Sequence, residues 1–105
     1  LRQLPRDTEV PGLLEDITQT ARSSGLEINS IKLEPETATE FYTELPISIQ
    51  VTGDYHELGA FVSGVASLPR IVTLHDFSIE RSGGDSRKLD MAITAKTYRY
   101  SDEED

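Results

Sequence analysis

Cysteine is absent from this 105-residue chain, and basic residues are scarce: ten lysines and arginines stand against nineteen aspartates and glutamates, a formal net charge of −9. Without cysteine there is no disulfide and no thiolate chemistry. The shortage of positive charge argues against nucleic acid as a partner, because phosphate backbones are bound through clustered Lys and Arg. It argues equally against direct contact with an anionic membrane surface.

Long apolar runs are also missing. No stretch of the sequence approaches the roughly 18 consecutive apolar residues that a membrane-spanning helix needs. A chain of this length can bury one modest core, so we expect a single domain over residues 1–100. Residues 101–105 are acidic, have nothing to bury and are expected to form a disordered tail.

Apolar residues at helical spacing predict two helices. The first is expected over residues 9–24, with Gly25 in the left-handed conformation just after its end. The second is expected to begin at Asp54, which can form a capping box with Glu57 three residues later. Pro69 ends it, because proline cannot continue a helix.

Alternating apolar residues predict four strands. The predicted strands are 26–34, 46–52, 71–80 and 88–100. A polar connection over 35–44 joins the first two, and a hairpin loop over 82–87 joins the last two. The second and fourth strands alternate without interruption, as strands with one buried face do. The first and third change parity, near Asn29-Ser30 and near His75-Asp76, which predicts a β-bulge in each.

The order helix-strand-strand occurs twice along the chain. It predicts an α+β fold, a ferredoxin-like two-layer sandwich in the circularly permuted order αββαββ, with a four-stranded antiparallel sheet and two helices on one face. The two uninterrupted strands are then central, and the two bulged strands are edges. The expected core consists of Leu14, Ile17, Ile49, Val51, Phe61, Val65, Met91 and Ile93.

No residue pattern indicates an enzyme. His56 and His75 have no metal-ligand spacing, and a divalent site needs three or four convergent ligands. No serine lies in a Gly-x-Ser-x-Gly elbow, and the Gly83-Gly84 pair lies in a hairpin instead of before a helix, where it could bind phosphate. We therefore expect no catalytic residue, no cofactor and no metal.

Ferredoxin-like sheets have two further binding functions, RNA binding and small-metabolite sensing. RNA binding needs aromatic side chains on the open sheet face, where only Tyr98 is expected, and the net charge is negative. A small-metabolite-sensing regulatory domain stays open as the alternative function, by analogy from the fold alone. Its ligand-contacting loop would be 35–44 or 82–87.

A resemblance to a known family rests on two adjoining segments, LPISIQVTGD (Leu45–Asp54) and YHELGAFVSGVASLPRIVTLHDFSI (Tyr55–Ile79). They closely resemble the PilO family of the bacterial type IV pilus machine. The resemblance implies a non-catalytic scaffold, the C-terminal periplasmic core domain of a bitopic inner-membrane protein. It also implies that a membrane helix and a coiled coil precede this domain in the native protein.

The same resemblance implies partners. These are a second copy of the chain, PilN, the lipoprotein PilP and other pilus platform components, which together connect the inner-membrane platform to the outer-membrane secretin in pilus assembly and twitching motility. In the hallmark segment of the family, which corresponds to Leu68–Phe77, Arg70, His75 and Asp76 have no evident core role and are candidate interface residues. Phe41 and Tyr42 are candidates for a second contact. The third strand is expected to be the pairing edge, because an exposed sheet edge can accept a strand.

Overall fold

The computed structural model describes residues 10–83 and 87–100, so the predicted tail at 101–105 lies outside the described residues. The described elements, in chain order, are helix α1 (Val10–Ser23), β1 (Glu27–Leu33), β2 (Thr37–Ala38), β3 (Tyr42–Gly53), helix α2 (Tyr55–Ala66), β4 (Val72–Arg81) and β5 (Leu89–Tyr100). The two helices and the four long strands are those that the sequence predicts.

All strands belong to one antiparallel sheet in the order β1-β3-β5-β4, and β2 pairs with the start of β3. The central pair, β3 and β5, runs in register over twelve residue pairs, with Ile49 opposite Ile93. The strands predicted to be central are central and those predicted to be edges are edges. Along β3, buried and more exposed residues alternate, so that one face of the sheet is covered.

The core lies between the helices and the covered face of the sheet. It contains Leu13, Ile17, Ala21, Leu26, Leu45, Ile47, Ile49, Val51, Leu58, Phe61, Val65, Met91, Ile93 and Ala95. Phe61 of α2 is its largest fully buried side chain. Seven of the eight predicted core residues are buried; Leu14 is partly buried and packs against the cluster.

The predicted end of α1 and the predicted start of α2 are confirmed by their geometry, whereas α2 ends at Ala66, three residues before the predicted stop at Pro69. Gly25 follows α1 with φ of 87°, in the left-handed region that glycine adopts without a steric penalty. At α2, Asp54 Oδ1 accepts a hydrogen bond from the Glu57 backbone N–H (2.8 Å), and the Asp54 N–H donates to Glu57 Oε1 (2.9 Å). These reciprocal bonds satisfy N–H groups that the first helical turn leaves without a partner.

The prediction for residues 35–44 is wrong in part. They contain β2, and β3 begins at Tyr42 instead of Pro46. Proline is tolerated in this central strand because its missing N–H lies where β1 has just ended and β2 has not begun, and the Pro46 carbonyl still accepts from Glu34 N (3.0 Å). Half of this segment is therefore sheet, which weakens its candidacy as a ligand-binding loop.

Candidate interaction surface

Strand β4 carries a bulge at the position that the sequence predicts. His75 pairs with Thr94 and Ser78 with Ala92, so two residues, Asp76 and Phe77, oppose one residue of β5. Asp76 has φ of 50°, and it is the only non-glycine residue with positive φ in the described chain. Aspartate tolerates this left-handed conformation better than most residues do.

The bulge decides where the apolar residues of β4 point. Because one residue is inserted, Phe77 and Ile79 return to the same sheet face as Leu74, the face that carries the helices. Nevertheless Phe77 is 63% exposed and Ile79 is 37% exposed. The helix layer therefore does not cover the second half of β4.

A groove runs between α2 and this half of β4, and we call it the α2–β4 groove. Its volume is about 290 Å³. It is lined by Tyr55, Leu58, Gly59, Val62, Ser63, Phe77, Ile79 and Met91. Tyr55 on the helix side is 76% exposed, which makes both walls of the groove apolar and accessible.

The two flanks of α2 differ. Gly64 faces α1 closely, since a Cβ at this position would lie 2.6 Å from Thr20 Cγ2. Gly59 faces the groove, and a Cβ there would meet no atom within 4 Å. From Leu58 to Pro69 the sequence has no charged residue, although 28% of the chain is charged. The groove flank of α2 is thus open and uncharged.

The candidate interface residues His75 and Asp76 lie at the bulge. His75 is on the open face of the sheet, the face without helices, and its Nε2 is 2.6 Å from Thr73 Oγ1, which is 3.0 Å from the Tyr98 hydroxyl. Among the described residues, no three Asp, Glu or His side chains come together as metal ligands. His75 is placed in a polar network of the sheet face.

Arg70 lies elsewhere and has a structural role that the sequence did not show. Its Nε donates to Asp16 Oδ2 of α1 at 2.6 Å, so it ties the connection between α2 and β4 to the first helix. The guanidinium also lies over Gly12, where an added Cβ would be 2.7 Å from Nη2. Arg70 therefore does not share one cluster with His75 and Asp76.

Phe41 and Tyr42 lie at the far end of the sheet, beside β2. Phe41 is 71% exposed in the bend before β3. Tyr42 is half-buried on the open face and packs edge-on against Tyr98, with ring centroids 5.5 Å apart. The five candidate residues thus occupy three separate places: the β4 bulge, the α1 contact and the β2 end.

Ion pairs surround this far end. Arg99 Nη1 donates to Glu36 Oε2 at 2.5 Å, and this bond lowers the pKa of Glu36 below its ordinary value. On the open face, Lys96 Nζ lies 3.2 Å from Glu44 Oε2, a contact that raises the pKa of Lys96. These paired charges contrast with the uncharged α2–β4 groove.

Comparison with known proteins decides the family. The model for the type IVa pilus alignment subcomplex PilO C-terminal domain matches residues 9–102. The chain belongs to the PilO family. The type IV pilus inner membrane component PilO of Pseudomonas aeruginosa is 67% identical over 103 residues, which are 97% of this chain and 50% of that protein. The chain spans about half the length of that curated relative.

Solved PilO structures share the fold. A crystal structure of the type 4 fimbrial biogenesis protein PilO from Pseudomonas aeruginosa has 67% identity and a TM-score of 0.88, covering 96% of this chain and 76% of that one. The core region of PilO from the same organism has 64% identity and a TM-score of 0.78, covering 89% and 96%.

A protein of Akkermansia muciniphila shows how far the fold extends beyond close sequence similarity. It has 10% identity and a TM-score of 0.71, covering 86% of this chain and 50% of that one, and it shares the fold alone.

Within residues 10–83 and 87–100, neither helix is long and apolar enough to cross a membrane. The resemblance to the PilO family that the hallmark segment indicates is confirmed.

Proposed function

We propose that the chain is a non-catalytic scaffold domain of the type IV pilus alignment subcomplex, which pairs with a second copy of itself and with the periplasmic domain of PilN. Through PilP this pair is linked to the outer-membrane secretin. The observation that carries the proposal is the apolar edge of β4, where Phe77 is 63% exposed beside an open groove. Exposed apolar surface of this kind marks protein interaction sites.

The proposal extends to architecture and location. The element order and the sheet order β1-β3-β5-β4 support a circularly permuted ferredoxin-like sandwich. Half of the length of the Pseudomonas aeruginosa inner membrane component lies outside the matched region. This supports a periplasmic domain that follows a membrane helix and a coiled coil.

Among the candidate interface residues, we propose His75 and Asp76 for the β4 contact and Phe41 and Tyr42 for a second, smaller contact. Arg70 acts as a positioning residue, because its bond to Asp16 fixes the connection that leads into β4. The net charge of −9 opposes close approach of two copies at low salt. Raising the ionic strength should therefore favour homodimerisation.

Sedimentation of the chain alone and mixed with the PilN periplasmic domain tests the proposal. Asp76→Lys should change association in at least one of these settings, because it reverses the charge at the bulge of the pairing edge. Asp76→Asn is the companion variant, since asparagine accepts the positive φ of this position while losing the charge.

Ser30→Lys is the control, because it introduces lysine on the opposite edge strand at an exposed position. It should leave association unchanged. If Asp76→Lys also leaves both equilibria unchanged, β4 is not the pairing edge. If the unmodified chain does not bind PilN at all, the proposed scaffold function itself fails.

A further inference from the structure

We infer that the α2–β4 groove binds an extended segment of a partner chain that carries both apolar and basic residues, and that this segment adds as a strand to Ser78–Arg81. The inference rests on the proposed scaffold function and names the partner chemistry for its pairing edge. It follows from four properties: the dimensions of the groove, the outer backbone groups of β4, the exposed apolar area, and the charges on the open face of the sheet.

The dimensions of the groove suit alternate side chains of an extended peptide. Its helical wall from Tyr55 to Ser63 is about 12 Å long at the α-helical rise per residue. Its strand wall from Phe77 to Ile79 is about 7 Å long, the distance between side chains two residues apart in a strand. Two apolar side chains on the same face of a strand therefore match the groove.

The backbone of β4 offers hydrogen bonds beside the groove. β4 is the last strand of the sheet, so its outer N–H and C=O groups have no neighbouring strand within the described chain. The bulge at Asp76 interrupts the edge and leaves the regular segment Ser78–Arg81 after it. Because bulges limit edge pairing, a short partner strand fits this edge and a long one does not.

The exposed apolar area is too small for a second folded copy to be held by this groove alone. Two partly exposed aromatic rings and Ile79 supply roughly 300 Å², whereas a stable interface needs about 800 Å² on each partner. Two copies would also bring together net charges of −9. A peptide held by main-chain hydrogen bonds needs less apolar contact area than a folded copy does, and it does not bring a second net charge of −9 to the surface.

The charges on the open face select a basic segment. Glu80 of β4 lies directly opposite Asp90 of β5, a like-charge cross-strand pair, and such pairs are unfavourable. Asp90 accepts a hydrogen bond from Thr52 Oγ1 at 2.6 Å, which holds its carboxylate in place. A lysine or arginine on the added strand would lie next to the Glu80 carboxylate, with the Asp90 carboxylate one strand further into the sheet.

Gly59 provides a direct way to close the groove. Gly59→Leu adds a side chain at a position that lines the groove, and its Cβ meets no atom within 4 Å in the free protein. Ala60→Leu is the matched control: it introduces the same side chain at the next exposed position, about 100° further around the helix. Glu80→Lys tests the charge preference separately.

The probe is a fluorescein-labelled peptide of about ten residues in which valine and phenylalanine alternate with lysine. A control peptide has the same composition in scrambled order, which keeps the charge and removes the alternation. Fluorescence anisotropy with the 105-residue chain should show about tenfold weaker binding of the scrambled peptide. Gly59→Leu and Glu80→Lys should each weaken binding of the alternating peptide about tenfold, and Ala60→Leu should leave it unchanged.

Equal binding of both peptides, or unchanged binding to Gly59→Leu, would overturn the inference. A dimer that Gly59→Leu abolishes, without an effect on the peptide, would show that a second copy occupies the groove and would overturn it too. Binding of the PilN periplasmic domain is measured on the same variants. If PilN binds normally while no variant affects the peptide, this inference fails and the scaffold function stands.

Discussion

The two edge strands of the sheet, β1 and β4, share the same irregularity but are covered by the helices to different extents. Each has one bulge, between Ile28 and Ser30 in β1 and between His75 and Ser78 in β4. Beneath α1, the inward residues that flank the bulge of β1, Ile28 and Ile31, are partly buried, while Leu33 at the end of the strand is 48% exposed. Beneath α2, Phe77, the inward residue of β4 that follows the bulge, is largely exposed.

The position of α2 explains the difference. Gly64 lets α2 approach α1 closely, because it has no Cβ on the side that faces the Thr20 methyl group. A helix drawn toward its neighbour covers less of the strand on its other side. We interpret the exposure at β4 as a consequence of this close helix packing at the other flank. A bulge alone does not expose an edge, since β1 has a bulge and keeps Ile28 and Ile31, on either side of it, partly covered.

The largest expected effect separates two phenylalanines, one in the core and one at the β4 edge. Phe61→Ala should reduce the free energy of unfolding by about 3–5 kcal/mol, because Phe61 is fully buried. Phe77→Ala should cost less than about 1 kcal/mol, because Phe77 is 63% exposed. Urea denaturation of both variants measures this difference. Equal losses would mean that Phe77 belongs to the core and that the edge is closed.

The next effect separates the two glycines of α2. Gly64→Ala should destabilise by about 1–2 kcal/mol, because the added methyl meets Thr20, whose hydroxyl is held by a bond to the Asp16 carbonyl (2.8 Å). Gly59→Ala should stabilise by about 0.5–1 kcal/mol, because alanine favours the helix and the space is empty. Thermal denaturation gives both signs. Stabilisation by Gly64→Ala would contradict the packing explanation for the open groove.

A smaller effect concerns the tie between α1 and the connection into β4. Removing the Arg70–Asp16 pair should cost about 0.5–1 kcal/mol, since both side chains are partly exposed. A double-mutant cycle with Arg70→Ala and Asp16→Ala isolates the coupling, which should shrink at high salt. Additive single effects would show that the pair does not stabilise the fold, and Arg70 would return to the list of interface candidates.

The smallest effect is a pH dependence at the β2 end. Arg99 lowers the pKa of Glu36 in the folded state, so the pair stabilises fully above the ordinary pKa of 4.5 and the stabilisation is lost as pH falls through the lowered value. The contribution should be below about 0.5 kcal/mol because Glu36 is exposed. Urea denaturation at pH 7 and about pH 3.5 measures it. Glu36→Gln should reduce the loss of stability in acid, and Glu40→Gln, the matched control, should not.

Much of the fold could be predicted from the sequence because local signals agreed with tertiary packing. The capping box of Asp54 and Glu57 fixed the start of α2, and the parity changes at Asn29 and His75 located both bulges. The start of β3 could not be predicted, because proline normally argues against a central strand. Only the arrangement of β1 and β2 beside Pro46 shows why its missing N–H is tolerated.

The candidate site was less predictable, because its features depend on contacts distant in sequence. Arg70 and Asp16 are 54 residues apart, so no local pattern reveals their bond. The α2–β4 groove could not be predicted, because Phe77 and Ile79 follow the apolar alternation that is typical of core residues. Their exposure depends on where α2 lies. One signal was present: the run from Leu58 to Pro69 contains no charge although half of it is surface.

The central claim is that β4, and not β1, is the edge that partners contact. Hydrogen–deuterium exchange of the chain, with and without the PilN periplasmic domain, tests it directly because both edges are followed in one experiment. The account predicts new protection in Phe77–Arg81 and in Tyr55–Ser63, with no change in Glu27–Leu33. Protection of Glu27–Leu33 without protection of Phe77–Arg81 would contradict it.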